Sequence, residues 1–290
     1  MNHKKFFLLG GYTKWSRKLK KNFYNLGYKS ISYSKFKENN SELKKINYRT
    51  INSFRFIVLA SDYKSNNIFL INLLKRNYSK FIFIEKPLSI NKKQISLIKR
   101  LNRKNNVFTN HQHNYANSIK KIIKFHKKNK KKFFIDVKFG KKGPAKINPI
   151  LEWGPHVFSL LENFISLKKA NIRIYKIIKS NRNFYNIKIK MEYKNNFINL
   201  LFGNNFQKKT YRLVYKTNGK KFIYDGKKTK LHKENIKKNL TSNGPLSSCI
   251  KVFLSNKKKH FKKNFQNAVH SMSILFTVEE LYNKKFNYRF

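Results

Sequence analysis

The first third of the chain alternates short apolar runs with stretches of helical period, and that alternation limits the fold more than any other feature. Runs such as FIFI at 81–84 and FRFIVLA at 54–60 carry apolar residues at consecutive positions, so both faces of each strand must be covered. Helices on the two faces of a parallel sheet do this, and the connecting segments have the period to be those helices. Strands are expected at 5–9, 30–33, 54–60, 81–84 and 107–109, and helices at 15–25, 67–76 and 90–104, the first ending at Gly27.

A helix is read over 118–128 from Ile119, Ile122, Ile123 and Phe125, followed by a strand over 133–139. Beyond it the period becomes two. NIRIYKII, FYNIKIKMEY, FINLLF, TYRLVYK and KFIYD follow one another with short turns, and in IKIKMEY the residues Ile187, Ile189, Met191 and Tyr193 share one face while Lys188, Lys190 and Glu192 share the other. That is the pattern of an antiparallel sheet with one buried and one wet side. Helices return at 246–254 and 266–282. The expected fold class is α/β, with a Rossmann-type parallel sheet over 1–117. An α+β domain with a mostly antiparallel open sheet is expected over 118–290, its C-terminal helix placed to pack back on the first domain.

The formal charge is +55, from 67 basic residues against 12 acidic ones, which points towards nucleic acid or an anionic membrane surface. Only 10 of the 67 are arginine, leaving 57 lysines spread along the whole chain, and Asn, Ile, Phe and Tyr are used heavily. An AT-rich coding sequence favours those residues, and arginine forks that read bases and phosphates are few, so no specific nucleic-acid partner is expected. The single Cys249 excludes an intrachain disulfide and fits a reducing compartment. FFLL near the N-terminus is too short for a signal-peptide core, and no apolar run reaches the roughly 20 residues of a membrane helix. A soluble cytoplasmic protein without a membrane partner is expected. His111 and His113 have no Cys or carboxylate beside them, so no metal site is expected.

The first strand runs into Gly10-Gly11-Tyr12-Thr13-Lys14-Trp15, a strand-to-helix turn of the kind that seats a dinucleotide pyrophosphate on a helix N-terminus. Against a G-x-G-x-x-G pattern only Gly10 matches, since Tyr12 and Trp15 stand at the second and third glycine positions. At the end of the second strand, where an NAD site carries an acidic residue, the sequence has Ser34 and Lys35, a hydroxyl and a cation suited to the 2′-phosphate of NADP. The fourth strand ends in Glu85-Lys86-Pro87. With 9 glutamates and 5 prolines in the chain, this triplet arises in only about 3% of shuffled sequences, and it falls at a strand end where open α/β sheets hold ligands.

A parallel strand ending in Glu-Lys-Pro resembles the glucose-fructose oxidoreductase and inositol dehydrogenase (Gfo/Idh/MocA) family. The resemblance extends to Glu152-Trp153-Gly154-Pro155-His156, where the family carries an aspartate and a histidine four apart with a glycine between, and to the closing Gly244-Pro245-Leu246 with two helices. Glu152 stands in place of the aspartate. Pro155 is expected in the first turn of the helix that follows, where a missing amide is tolerated. The chain departs from the family at Ser159, Asp62, Asn66 and Asn114.

The resemblance implies an NAD(P)-dependent oxidoreductase moving a hydride between a nicotinamide and a carbinol of a sugar, cyclitol or nucleotide-linked sugar. Lys86 would hold the reacting oxygen, His156 would act as base and Glu152 would orient it. Gly10, Gly11, Tyr12, Thr13, Lys14, Ser34, Lys35, Ala60, Ser61, Glu85 and Lys86 would line an NAD or NADP site, and Asn114, Lys86 and His156 would face the substrate. Homo-oligomers are implied, through the open face of the second sheet. A relative that keeps the fold as a scaffold without catalysis is the alternative, motivated by Tyr12 and Trp15, and a basic nucleic-acid-binding protein, motivated by the +55 charge, is the less favoured one.

Overall fold

The computed structural model describes residues 4–33, 47–104, 106–129, 131–143, 148–181, 184–226, 232–233, 236–237 and 244–286. Ser34 and Lys35 lie outside the described residues. The chain divides into two compact units, one of residues 1–110 with 246–269 and one of residues 111–245 with 270–290.

The first unit holds a five-stranded parallel sheet. Its strands are β1 (Lys4–Leu9), β2 (Tyr28–Tyr33), β3 (Phe56–Leu59), β4 (Phe81–Ile84) and β5 (Val107–Thr109), in the order β2-β1-β3-β4-β5. Helices α1 (Lys14–Tyr24), α2 (Tyr48–Asn52), α3 (Tyr63–Lys75) and α4 (Lys92–Leu101) fill the connections. The consecutive apolar residues have the expected cause, because each face is covered. On one side Phe23 of α1 packs tilted on Phe6 and edge to face on Phe83, and Phe253 packs on Phe56, Phe83 and Phe108. On the other, Phe69 of α3 lies against Phe7. Phe253 belongs to α7 (Pro245–Leu254), and Phe261, at the start of α8 (Lys258–Phe286), packs on Phe81 and Phe108. Burying an aromatic side chain in this way contributes on the order of 2–3 kcal/mol.

The second unit is built on an eight-stranded mixed sheet. Its strands are β6 (Phe134–Lys142), β7 (Asn171–Asn181), β8 (Phe184–Tyr193), β9 (Asn196–Gly203), β10 (Asn205–Thr217), β11 (Lys220–Asp225), β12 (His232–Lys233) and β13 (Ile236–Lys237), in the order β13-β12-β11-β10-β6-β9-β8-β7. All neighbours pair antiparallel except β6 and β9. Period-two patterning shows that these runs are strands with one buried face, but it carries no information on pairing order, which is why the parallel pair was not foreseen. Ile187, Ile189 and Met191 are buried as expected, and Lys190 and Glu192 are exposed.

Helix α5 (Asn117–Lys128) buries Ile119 and Ile122, and α6 (Pro149–Leu161) lies on the sheet with Phe158 against Phe202. The start of α6 differs from expectation. Asn148 caps it by accepting from the Ile150 amide at 2.9 Å and Pro149 is its first residue, which leaves Pro155 in the interior rather than in the first turn. Gly154 makes this possible, since the residue before a proline is normally kept out of the helical region by its own Cβ, and glycine has none. No helix of the described residues is long and apolar enough to cross a membrane.

Candidate active site

In the first unit the chain leaves β1 towards β2 on one side and then crosses to β3, β4 and β5 on the other. The crevice opened by that reversal is where open α/β sheets bind ligands. Backbone hydrogen bonds bring the strand ends into one edge: Gly10 N–H to Tyr33 O at 2.8 Å, Ala60 N–H to Leu9 O at 2.9 Å, Glu85 N–H to Leu59 O at 3.0 Å and Asn110 N–H to Ile84 O at 2.8 Å. Gly10, Ala60, Ser61, Glu85 and Lys86 therefore stand at or just past strand ends along one edge.

Gly10 and Gly11 are fixed by backbone geometry. Both have left-handed φ, +104° and +123°, and a Cβ on Gly10 would come within 2.8 Å of the Ala60 carbonyl oxygen. The two turns at the switch point close on each other only because that carbon is missing. Thr13 caps α1 by accepting from the Ser16 amide at 3.0 Å, which leaves the earlier amides of the first turn for a ligand or water. Lys14 is exposed at that turn and Tyr12 is half-buried. On the β3 side, Asn66 holds the Ser61 backbone from both ends, accepting from its N–H at 3.0 Å and donating to its C=O at 3.1 Å. Asp62 caps α3. Burial opposes its charge, but hydrogen bonds from Ser65, Lys64 and Ser61 outweigh this and hold its carboxyl below the usual range.

At the tip of β4 the carboxyl of Glu85 lies deep although the residue as a whole is only half-buried. Burial pushes its pKa up, while Trp15, Asn110 and Lys86 pull the other way. The Asn110 amide donates to it at 2.7 Å. The Trp15 indole N–H lies close enough to favour the anion, short of full hydrogen-bond geometry. Trp15 thus reaches from the first turn of α1 to the end of β4, with β3 between β1 and β4 in the sheet. The Lys86–Pro87 peptide bond is cis. The bare glycines and the open helix end fit the phosphates of a dinucleotide, and Trp15 makes the neighbouring ground more crowded than a small residue would.

In the second unit α6 brings His156 to the buried face, 7% exposed. Packing also requires Gly154, since a Cβ there would run into Cδ2 of Leu275 on α8. Glu152, one turn earlier, has its carboxyl 4.0 Å from the Lys141 ammonium on β6. Asn114 sits on a short 3-10 turn (Gln112–Tyr115) and donates to the Ser159 carbonyl at 3.2 Å, and its Oδ1 is buried with no hydrogen-bond partner among the described residues.

Sequence reasoning missed three residues here. His113 lies with its ring 5.1 Å from that of His156 and nearly perpendicular to it, and its Nδ1 is 2.6 Å from the hydroxyl of Tyr224. The ring of Tyr211 lies 4.7 Å from that of His113 and is tilted to it, and burial together with the Glu152 charge pushes its pKa up to about 12. The available signal was the inward period of TYRLVYK and KFIYD, which puts Tyr211 and Tyr224 on the same buried face. No group of three or more His, Cys, Asp or Glu among the described residues could hold a metal ion.

Neither a protein-family model nor a curated protein matches the sequence. Solved structures match nearly end to end. A UDP-N-acetylglucosamine 3-dehydrogenase from Acidithiobacillus ferrooxidans aligns over 97% of this chain and 98% of its own, with a TM-score of 0.74 at 10% identity. A 3-ketoreductase from Actinomadura kijaniata, solved with TDP-benzene and NADP, covers 95% and 96% with a TM-score of 0.71 at 10% identity. An oxidoreductase from Sinorhizobium meliloti covers 98% and 99% with a TM-score of 0.76 at 6% identity. The chain has the fold of these oxidoreductases.

Proposed function

We propose that the protein is a nicotinamide-dependent oxidoreductase acting on a carbinol or the matching ketone of a sugar, cyclitol or nucleotide-linked sugar. The observation that carries this reading is the close approach of the two switch-point turns, which needs a bare Gly10 under Ala60 and leaves the end of α1 facing the strand edge. NADP in the 3-ketoreductase and a nucleotide sugar in the dehydrogenase name favour the same chemistry for a chain of this fold.

Gly10, Gly11 and the first-turn amides at Lys14 and Trp15 would hold the phosphates, with Tyr12, Thr13, Ala60, Ser61 and Glu85 around them. A bound nicotinamide supplies the hydride acceptor or donor that no side chain here can provide. Lys86 places a positive charge by the reacting oxygen, favouring developing alkoxide. His156 takes the hydroxyl proton as the carbinol carbon gives up hydride, and returns it in the reverse direction. The buried Oδ1 of Asn114 is an acceptor suited to a substrate hydroxyl. Copies associate through the open face of the second sheet, and the like charges of Lys188 and Lys190 make that association strengthen with salt, which light scattering at two salt concentrations reads.

The test is turnover of NADH and NADPH with a panel of keto-sugars and UDP-linked keto-sugars. His156→Ala is expected to lower kcat by about 10²–10⁴-fold, with Lys86→Ala also slow. Unchanged turnover in both variants rules the reading out. A second reading, a non-catalytic relative, is favoured by the reach of Trp15 to Glu85, and it predicts no turnover together with no binding of either nucleotide.

A further inference from the structure

The open face of the second sheet ends, beside the turn from β10 to β11, in a row of side chains that the proposed hydride chemistry does not use. Phe197 of β9, Phe134 of β6, Lys216 of β10 and Lys221 of β11 are successive cross-strand partners, so they stand side by side on one face. The row is half aromatic and half cationic. Phe197 is 53% exposed, and the Lys216 ammonium lies 5.8 Å from the centre of the Phe134 ring, which holds the charge towards the aromatic half. Lys216 and Lys221 oppose each other directly, an unfavourable pairing of like charges in itself.

This row lines a hollow of about 560 Å³, a size that suits a small ligand. Lys132 and the turn at Asn218 and Gly219 line it too. That wall is set by backbone: Asn218 and Gly219 take the left-handed φ of a tight hairpin, +43° and +69°, and the Thr217 hydroxyl ties the turn to β6 by donating to the Lys132 carbonyl at 2.8 Å. Lys132 and Lys216 form no ion pair with any of the described residues, so their charge is open to an anion from outside. Carboxylates border the hollow. Glu192 of β8 is the cross-strand partner of Phe197, and Asp136, two residues on from Phe134, lies 3.9 Å from the Lys138 ammonium. They repel a phosphate chain that continues across the sheet, so the surroundings favour one nucleotide over a nucleic-acid strand.

We propose that this hollow binds a mononucleotide, with its base against Phe197 and its phosphates at Lys216, Lys221 and Lys132. An exposed aromatic ring stacks on any base, and lysines supply charge without a fork that imposes one geometry. Lys220 turns away from this group, its ammonium 5.7 Å from the ring of Phe125 on α5. The site is separate from the oxidoreductase reading and does not rest on it. Lys190 pairs with Asn199, two residues on from Phe197, so the association of copies proposed through Lys188 and Lys190 uses the neighbouring rows.

Amide ¹⁵N–¹H spectra of the full chain, titrated with ADP, adenosine and tripolyphosphate at about 0.15 M salt, test this. ADP is expected to shift the amides of Phe197, Asn218 and Gly219 saturably, with adenosine and tripolyphosphate each about tenfold weaker there. Phe197→Ala, a change at an exposed side chain, should weaken ADP at those amides about tenfold, and Lys216→Gln about threefold. An equal response to ADP and tripolyphosphate that Phe197→Ala leaves unaltered shows attraction by charge alone and overturns the proposal. Shifts confined to Gly10 and Gly11 also overturn it, because they report the dinucleotide site of the first unit instead. Tighter binding of a thymidine hexanucleotide than of ADP, with shifts reaching Lys188 and Lys190, assigns the face to a nucleic-acid strand and rejects the nucleotide. If ADP gives no response and Phe197→Ala halves the mass read by light scattering, the row belongs to a second copy and the proposal fails.

Discussion

The strand edge of the first unit and the buried face of the second are built from different material. At the edge the working parts are main chain: glycines with left-handed φ, the capped end of α1, and a Ser61 backbone clamped by Asn66. On the face they are side chains, His113, His156, Tyr211 and Tyr224, packed ring against ring. A site made of backbone tolerates many changes of side chain and fails where a Cβ intrudes. A site made of side chains is sensitive to the loss of one polar atom. Tyr12 and Trp15, at the second and third positions of a G-x-G-x-x-G pattern, are therefore expected to matter less than a change at Gly10 would.

The largest effect expected from this contrast is at Gly10. Gly10→Ala forces a left-handed φ on a residue with a Cβ and drives that carbon against the Ala60 carbonyl, at a cost of about 2–4 kcal/mol in urea unfolding, with nucleotide binding lost. Gly154→Ala comes next. Its new methyl meets the flexible end of Leu275 rather than backbone, so about 1–3 kcal/mol is expected, and a simultaneous Leu275→Ala should relieve the clash. Asn66→Ala removes both ties on Ser61 and should cost about 1–2 kcal/mol while weakening NADPH binding more than it weakens the fold.

The smallest effect concerns pH and the second unit alone. His126 donates from Nε2 to the Phe164 carbonyl at 2.9 Å, and its Nδ1 is 3.0 Å from the Tyr215 hydroxyl. Burial lowers its pKa, the Phe164 bond opposes this and the Lys127 charge adds to it. The unfolded chain thus binds a proton more readily than the folded one just below the ordinary histidine range, so stability falls as pH drops through about 6.5. The urea midpoint should rise between pH 5.5 and 7.5, and His126→Gln should remove that part of the rise.

Most of the first unit was legible in the sequence because strands covered on both faces announce themselves as apolar runs, and FIFI at 81–84 coincides with β4. Boundaries failed where composition hid the pattern. The beginning of α8 at Lys258 lies under KKHFKKNFQ, whose lysines read as loop although Phe261 and Phe265 recur at helical spacing and are buried. Pro155 misplaced the start of α6 because tolerance of an interior proline depended on Gly154, a local compensation that proline rules alone do not include. Glu-Lys-Pro and the Glu152 to His156 spacing were readable because they are local in sequence. The pairing of His113 with Tyr224 spans 111 residues and follows only from strand order, which periodicity does not give.

The central claim is that the strand edge of the first unit binds a nicotinamide dinucleotide even though Tyr12 and Trp15 stand where a G-x-G-x-x-G pattern would have glycines. Fluorescence titration of the purified chain with NADH and NADPH tests it most directly, with Gly10→Ala as the comparison. Saturable binding of at least one nucleotide below millimolar concentration, lost in the variant, is the predicted result. No binding of either nucleotide to the wild type at millimolar levels would contradict it.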